Sequence, residues 1–382
     1  MILHRLRDAG LAIASRAPVT PAVPRSFEIL LLRPDHLGDL LFLTPALRRL
    51  RRALPEATIT AVVGPWAAPV LAGNPDVDEV LTLPFPGFTR RPSSRLQPYQ
   101  LLQQWAALIR ERAPAAVVVL RDDHWWGALL AQRAGVPLRI GADHPAVTRY
   151  LTHTIPLPHP HWVQRNAAVL DATARILGGT PPDEPVTPVT APLRPPAAAS
   201  ESAAVTLAGA GIAEPYLVVI PGAGARVKHW LPDRWATVAT TLAREFGCMV
   251  VLTGSASEAP MIDQIRARIQ APAASLAGQT DLATLTAVLQ GARLAVGVDC
   301  GPMHLAVAAG TPTVHLFGPS SAEQFGPWGD PARHRVVSAG MRCPRCGDLS
   351  PERPEGAGCM VAITADRSEE HTSELQSPMY LV

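Results

Sequence analysis

The stretch from Ala295 to Pro319, AVGVDCGPMHLAVAAGTPTVHLFGP, constrains the fold most, because it combines two apolar strand signals with a short helix between them. Asp299 to Gly301 interrupts the first strand, and Pro302 suits the first turn of a helix, where no N–H is needed. Such a helix start offers backbone N–H groups and a positive dipole end to an anion, most plausibly a phosphate. By itself, the loop is more often an ordinary connection of an α/β domain.

The same alternation of strands and helices runs through most of the chain. In the first half, apolar runs predict strands at Glu28 to Arg33, Thr58 to Val63, Glu79 to Leu83 and Ala116 to Leu120. In the second half they do so at Tyr216 to Ile220 and Cys248 to Thr253. Helical crossovers between such strands give parallel sheets covered on both faces. The predicted fold class is therefore α/β, with two Rossmann-like, doubly wound domains that face a central cleft.

Proline and leucine spacing sets the expected boundaries. Leucines at three-and-four spacing predict one helix from Leu40 to Leu54, which Pro55 ends. The prolines of residues 181–199 exclude a regular element and start a connection between domains. The resulting division is a basic leader (1–26), an N-terminal Rossmann-like domain (27–180), a Pro-rich connection (181–215), a C-terminal Rossmann-like domain (216–366) and a tail (367–382). The tail resembles a translated sequencing adapter, so we interpret it as non-native.

Composition excludes several classes of protein. A net charge of +2 is too small to predict nucleic acid as a partner. No apolar run reaches the roughly 18 to 20 residues that a membrane span needs, and no secretory signal is evident. We expect a cytoplasmic protein. The leader has arginines opposite a weak apolar face, so peripheral contact with the inner membrane is an alternative to a frayed terminus.

Three loops of the second half together predict a site for a nucleotide diphosphate. In PGAGARVKHW, Gly222 and Gly224 permit close approach of the backbone, and Lys228 suits a phosphate. In GSASE, Glu258 suits ribose hydroxyls. The loop VDCGPMH contributes Asp299, the backbone of Gly301, Pro302 and Met303, and the imidazole of His304.

Two loops of the first half carry polar residues at predicted strand ends. In PDHLGD, Asp39 is either a general base or a simple cap of a helix that begins at Leu40, and spacing alone favours the cap. In RDDHWW, Asp122, His124 and Trp125 combine aromatic and polar groups that suit a sugar. The alternative for the tryptophan pair is a place in the core.

Four segments together resemble the ADP-heptose:lipopolysaccharide heptosyltransferase family, glycosyltransferase family 9, over roughly residues 27 to 330. They are LLLRPDHLGDLLFLTPALRRLRRALPEA, VVIPGAGARVKHWLPDRWATVA, VVLTGSASE and AVGVDCGPMHLAVAAGTPTVHLFGP. The resemblance implies a GT-B fold with the acceptor on the N-terminal domain and the nucleotide sugar on the C-terminal one. It also implies inverting transfer without a metal or other cofactor.

The resemblance also implies roles for single residues. Asp39 is similar to the general base, Lys228 to the lysine that binds the diphosphate, and Glu258 to the ribose contact. The loop around diphosphate and sugar corresponds to Asp299, Gly301, Pro302, Met303 and His304. Asp35 and His36 depart from the usual Arg-x-Ser-x-Leu-Gly-Asp start, so we assign His36 to acceptor binding together with Asp122, His124 and Trp125.

The predicted function is therefore transfer of a heptose or related sugar from an ADP-sugar to a lipopolysaccharide core or other cell-envelope glycan. The alternative is a non-catalytic nucleotide-sugar-binding protein with the same fold. A nicotinamide oxidoreductase is disfavoured, since no dinucleotide fingerprint follows the first strand of either half.

Three of the five cysteines lie close together in the sequence, at Cys343, Cys346 and Cys359. We interpret them as structural or redox-inert thiols, and an incomplete zinc site is the alternative.

Overall fold

A computed structural model of the chain describes residues 23–88, 94, 96–187, 195–341 and 358–365. These residues form two compact units. The first comprises the described residues up to His36 and those from Phe42 to Val186, and the second comprises Leu37–Leu41 and the described residues from Thr187 onward. A five-residue segment of the first half thus belongs to the second unit.

The first unit is built on a parallel sheet with the strand order β3-β2-β1-β4-β5-β6. Its strands are Glu28–Arg33 (β1), Thr58–Val63 (β2), Glu79–Thr82 (β3), Ala116–Val119 (β4), Leu138–Ala142 (β5) and His153–Ile155 (β6). All residues of β1 and β4 are buried, because helices cover both faces of a central parallel strand. The carboxyl ends of these strands meet at one edge of the sheet.

The predicted helix from Leu40 to Leu54 is wrong as a single element. Leu37–Leu41 (α1) and Thr44–Ala53 (α2) form separate helices. Pro45 explains the break, because its ring would clash with the carbonyl of residue 41 and it has no N–H to donate inside a helix. Pro45 instead stands in the first turn of α2, where proline is tolerated.

The other helices of the first unit pack on its sheet. They are Gln97–Arg112 (α3), Trp125–Arg133 (α4) and Trp162–Ile176 (α5). Helix α5 packs against α2, and buried Arg49 joins them through a bidentate ion pair with Asp171 at 2.8 to 3.2 Å. This pair holds the two helices together.

The second unit repeats the arrangement with the order β12-β11-β10-β7-β8-β9, again in parallel. Its strands are Tyr216–Ile220 (β7), Met249–Leu252 (β8), Ala273–Ser275 (β9), Ala295–Val298 (β10), Thr313–Phe317 (β11) and His334–Ser338 (β12). Its helices are Ala197–Gly209 (α6), Pro232–Phe246 (α7), Ala259–Arg266 (α8), Leu282–Gly291 (α9), Gly301–Ala308 (α10), Ala322–Phe325 (α11) and Gly358–Val361 (α12). The α/β prediction of two Rossmann-like halves is confirmed.

Helix α6 was not predicted, and it lies inside the expected Pro-rich connection. It begins directly after Pro196 and packs against α9 in the second unit. Alanine has the highest intrinsic helix propensity, so this Ala-rich segment forms a helix without an apolar stripe. The periodicity of apolar residues could not reveal it.

The last described residues, 358–365, close the core of the second unit. Cys359, Met360 and Ile363 are buried in it, and the indole of Trp230 donates to the carbonyl of Ile363 at 3.1 Å. Cys359 thus has the structural position that we predicted for it. Cys343 and Cys346 lie outside the described residues, as do the leader up to residue 22 and the tail.

Among the residues that the structure describes, no helix combines the length and the apolar character of a membrane span.

Candidate functional site

The loops predicted to bind a diphosphate meet at the carboxyl edge of the second sheet. Lys228 follows β7, and its ammonium lies 2.7 Å from Oδ2 of Asp299, which follows β10. The hydroxyl of Ser320, beyond β11, donates to the same oxygen at 2.5 Å. Nε2 of His304 lies 3.4 Å from Oδ1. Two of the predicted residues, Lys228 and His304, therefore converge on the carboxylate of a third, Asp299.

The charge of Asp299 is secured by these contacts. Burial opposes ionisation, but the hydrogen bond from His304 and the charge of Lys228 outweigh it and hold the pKa of Asp299 well below its usual range. Asp299 is therefore an anion at neutral pH. It fixes the Lys228 ammonium at the sheet edge, where a diphosphate could replace the carboxylate as its partner.

Gly222 and Glu258 lie against each other. A Cβ on Gly222 would stand 2.0 Å from Oε1 of Glu258, so any other residue there would require the Glu258 side chain to move. The other oxygen, Oε2, accepts hydrogen bonds from the N–H and the hydroxyl of Ser255, both at 2.7 Å. By contrast, a Cβ built on Gly224 would have no described residue within 4 Å apart from its chain neighbours. Of the two glycines, Gly222 is therefore the one that has a close contact inside the protein.

The loop after β10 leads into α10 as predicted, with Gly301 and Pro302 in the first turn. Met303 is fully buried, and its sulfur lies against Gly297 in β10. Its N–H donates to the carbonyl of Cys300 at 3.1 Å. Met303 therefore anchors the helix in the core, and its side chain is not at the surface of the site.

The segment that carries Asp39 packs on this same helix. A Cβ on Gly301 would lie 2.8 Å from Cδ2 of Leu37, and one on Gly38 would lie 2.9 Å from Cδ2 of His304. Two glycines thus allow α1 and α10 to touch through their backbones. The structure brings the Leu-Gly-Asp loop directly to the loop of Asp299 and His304.

Asp39 is the third residue of α1 and is partly exposed. The interpretation of Asp39 as the cap of a helix that begins at Leu40 is therefore wrong, because the helix begins two residues before Asp39. A carboxylate in the first turn of a helix is stabilised in its charged form by the helix dipole. The helix that carries Asp39 is also the one that packs against the loop of Asp299 and His304.

At the carboxyl edge of the first sheet, a buried ion-pair network surrounds Asp35. Nε of Arg33 lies 2.7 Å from Oδ2 of Asp35, and Arg121 binds Oδ1. Arg121 also pairs with Asp123 at 2.5 Å. Burial opposes the charge of Asp35, but the two arginines outweigh it and lower its pKa. Asp35, one of the two residues that depart from the Arg-x-Ser-x-Leu-Gly-Asp pattern, is thus an ionised, internal carboxylate.

The four predicted acceptor residues differ in exposure. His36 is exposed and its ring lies 5.9 Å from that of Trp66. Asp122 faces Arg165 at 3.6 Å, and Trp125 is partly buried. These three remain at or near the surface of this edge.

His124 is in the core, contrary to its predicted place in an acceptor site. Its ring packs edge-on against Phe85 and Phe88, at centroid distances of 5.2 and 5.7 Å. Burial lowers its pKa to about 4, so the ring is neutral at pH 7. Trp126 is buried beside it, which confirms the core alternative for that tryptophan.

Sequence reasoning missed three residues that shape these edges. They are Ser320 on Asp299, Trp66, whose indole donates to the carbonyl of Asp35 at 2.9 Å, and Trp162, which lies between two guanidinium groups. The first two lie shortly after the end of a predicted strand, each behind a Gly-Pro pair. That position was the available signal, because strand ends of a parallel sheet share one edge.

Comparisons with known proteins indicate the family and the fold of this chain. The chain is 27% identical to lipopolysaccharide heptosyltransferase 3 of Escherichia coli strain K12 over 299 residues, 76% of this chain and 82% of that protein. The glycosyltransferase family 9 structure from Veillonella parvula DSM 2008 superposes with a TM-score of 0.75 at 22% identity, covering 93% and 98% of the two chains. The E. coli ADP-heptose lps heptosyltransferase II structure gives 0.69 at 24%, covering 91% and 98%.

These structures confirm the GT-B fold for this chain. The family model described as glycosyltransferase family 9 (heptosyltransferase) matches residues 105–349, which is more than half of the sequence. The chain therefore belongs to glycosyltransferase family 9 and is a glycosyltransferase.

Proposed function

We propose that this enzyme transfers a heptose from ADP-heptose to the lipopolysaccharide core or a related cell-envelope glycan, with inversion and without a metal. The contact of the Asp39 helix with the loop of Asp299 and His304 carries the proposal. It supports the proposal because the Asp39 carboxylate, which we take as the base, lies on the helix that packs against residues suited to a diphosphate. The names of the relatives, which include an ADP-heptose heptosyltransferase, support the choice of donor.

The donor is bound by the second unit. Lys228 and the amino-terminal end of α10 stabilise the negative charge that develops on the departing diphosphate, a task that a metal performs in other transferases. Glu258 accepts hydrogen bonds from the ribose hydroxyls, as the acidic residue of dinucleotide folds does. Gly222 lies against Glu258 and has no side chain, so the nucleotide can approach the backbone of the loop that follows β7.

The base acts on the acceptor. Asp39 takes the proton of the acceptor hydroxyl as its oxygen attacks the anomeric carbon from the face opposite the diphosphate. The new glycosidic bond forms as the bond to the phosphate oxygen breaks, so the configuration inverts. A single carboxylate suffices for this step.

We further propose that His36, Asp122 and Trp125 contact the acceptor at the edge of the first sheet. The burial of His124 removes it from this set. An aromatic ring with neighbouring polar groups suits a sugar, whose apolar face stacks while its hydroxyls form hydrogen bonds.

Isothermal titration with ADP, ADP-heptose, UDP and GDP tests the donor. We expect ADP-selective binding that Lys228→Ala weakens by about tenfold or more, since a charge-assisted contact contributes about 1.5 to 3 kcal/mol. Equal affinity for the three diphosphates would contradict the donor assignment.

Turnover of ADP-heptose with a panel of glycan acceptors tests catalysis. Asp39→Asn should lower kcat by about 100-fold or more while ADP binding persists, because it removes only the base. Transfer should continue in the presence of a chelator. Donor binding without turnover by the wild type would favour a non-catalytic protein.

A further inference from the structure

A row of buried polar side chains runs through the second unit behind the donor site. Every residue of β11 is buried, yet its central residue, His315, is an imidazole with no exposed surface. Thr313 lies two residues earlier on the same face of the sheet, and it pairs in register with His334 of β12. These three residues and His304 form a continuous polar row.

The distances define the contacts of this row. Nε2 of His315 lies 2.9 Å from Oγ1 of Thr313, and that oxygen lies 2.9 Å from Nδ1 of His334. The threonine hydroxyl has one proton, so it donates to one ring and accepts an N–H from the other. On the other side, the rings of His315 and His304 lie 5.7 Å apart at an angle of 33°.

The row of buried polar side chains lowers the stability of the folded state. Nδ1 of His315 has no hydrogen-bond partner among the described residues, and a buried polar atom without a partner destabilises the folded state. A leucine would fill a strand of this kind without that penalty. The imidazole therefore calls for a role other than stability.

That role follows from what the ring touches. His304 donates through Nε2 to Asp299, whose other oxygen holds Lys228. The orientation of the His304 ring thus helps to set the position of the carboxylate. His315 is the imidazole against which the His304 ring lies.

We propose that His315 is a positioning residue of the donor site. Its ring, held in place by the hydroxyl of Thr313, fixes the plane of the His304 ring. His304 in turn keeps its Nε2–H directed at Asp299, and Asp299 keeps Lys228 at the sheet edge.

The ring does this without adding charge to the site. Burial, followed by the proximity of His304 and His334, holds the pKa of His315 well below its usual value. His315 is therefore neutral at physiological pH and presents a dipole to its neighbours. A charged side chain at the same place would alter the ionic balance of Asp299 and Lys228.

The test compares His315→Leu, which removes the polar ring, with His315→Gln, whose amide reaches the position of Nε2. His334→Leu is the matched control, because it removes a buried imidazole from the same row without touching the ring that packs on His304. For each folded variant we measure ADP affinity, kcat and KM for ADP-heptose, the melting temperature and the nitrogen-bound proton resonance of His304 Nε2.

We expect His315→Leu to weaken ADP binding and to lower kcat/KM by about tenfold or more, since a displaced group loses much of its effect. His315→Gln should recover most of this loss, and His334→Leu should stay within about threefold of the wild type. The downfield resonance of the His304 proton on Asp299 should disappear in the leucine variant of His315 alone.

Unchanged ADP affinity and an unchanged His304 resonance in His315→Leu would overturn the inference. So would losses in His334→Leu that equal those in His315→Leu and follow the melting temperature, because the row would then be merely structural. The inference rests on the proposed donor site, but the His304 resonance reports positioning even if the wild type binds no ADP. The two proposals can therefore fail separately.

Discussion

At the scale of single residues, burial decides which of the predicted groups can meet a ligand. Trp125 and Trp126 are neighbours in sequence, but one is partly exposed and the other lies in the core. The sequence could not separate them, because a helix that packs on a sheet turns successive residues by about 100°. His124 stands at the start of that helix and falls on the buried side.

His124 should make the first unit sensitive to acid. Its pKa is about 4 in the folded protein and about 6.5 in an unfolded chain, so the unfolded state binds more protons between these values. Stability is therefore complete above about pH 6.5 and falls as the pH drops toward 4, by about 3 kcal/mol in total.

Urea unfolding of the wild type and of His124→Phe between pH 7.5 and 4.5 measures this effect. The phenylalanine variant should lose the part of the pH slope that His124 causes, since it keeps an aromatic ring beside Phe85 and Phe88 but has no titrating nitrogen. His36→Phe is the control, because that ring is exposed. Identical pH slopes in the wild type and His124→Phe would contradict the prediction.

At the scale of helices and strands, runs of apolar residues predicted the central strands correctly, but the break within a predicted helix was missed. The central strands were found because strands buried on both faces are almost continuously apolar. The break at Pro45 was missed, because the leucines of α1 and α2 continue the spacing of one helix across the turn. Ser320 was missed because it lies in a loop, where no periodicity marks a residue.

The contact between α1 and α10 predicts an effect of Gly38→Ala. An added Cβ would stand 2.9 Å from the His304 ring, so the ring or the helix must move. We expect kcat/KM to fall by about tenfold or more. The free energy of unfolding should change by less than about 2 kcal/mol, since the cost of moving the ring, about 1 to 3 kcal/mol, is partly offset by the higher helix propensity of alanine, about 1 kcal/mol.

Steady-state kinetics and thermal unfolding together test whether Gly38→Ala lowers kcat/KM without a matching loss of stability. Gly209→Ala is a matched control, because Gly209 is also helical and no described atom lies within 4 Å of its added Cβ. A Gly38→Ala enzyme with full activity would show that the contact between the two helices is not needed for catalysis.

At the scale of the whole molecule, each unit has its own core, and residues 358–365 belong to that of the second. Ile363 is fully buried there, so Ile363→Ala should lower the free energy of unfolding of this unit by about 2 to 5 kcal/mol. Val361→Ala, at an exposed position of the same segment, should cost less than about 1 kcal/mol.

Hydrogen exchange of backbone amides measures the effect unit by unit. Amides of β7 and β10 should lose protection in Ile363→Ala, and those of β1 and β4 should keep it. An equal loss in both sheets would mean that the chain unfolds as one body.

The shared strand order has a consequence for where chemistry can arise. In each sheet the chain starts in the middle, moves outward on one side, and returns to place its fourth strand on the other side of the first. Between those two strands the connections leave in opposite directions, which opens a crevice at the topological switch point. Asp39 and Lys228 each follow a first strand, and RDDHWW and VDCGPMH each follow a fourth. Asp39, the proposed base, and Lys228, the proposed phosphate-binding lysine, are thus topological equivalents, one in each of two units with the same strand order.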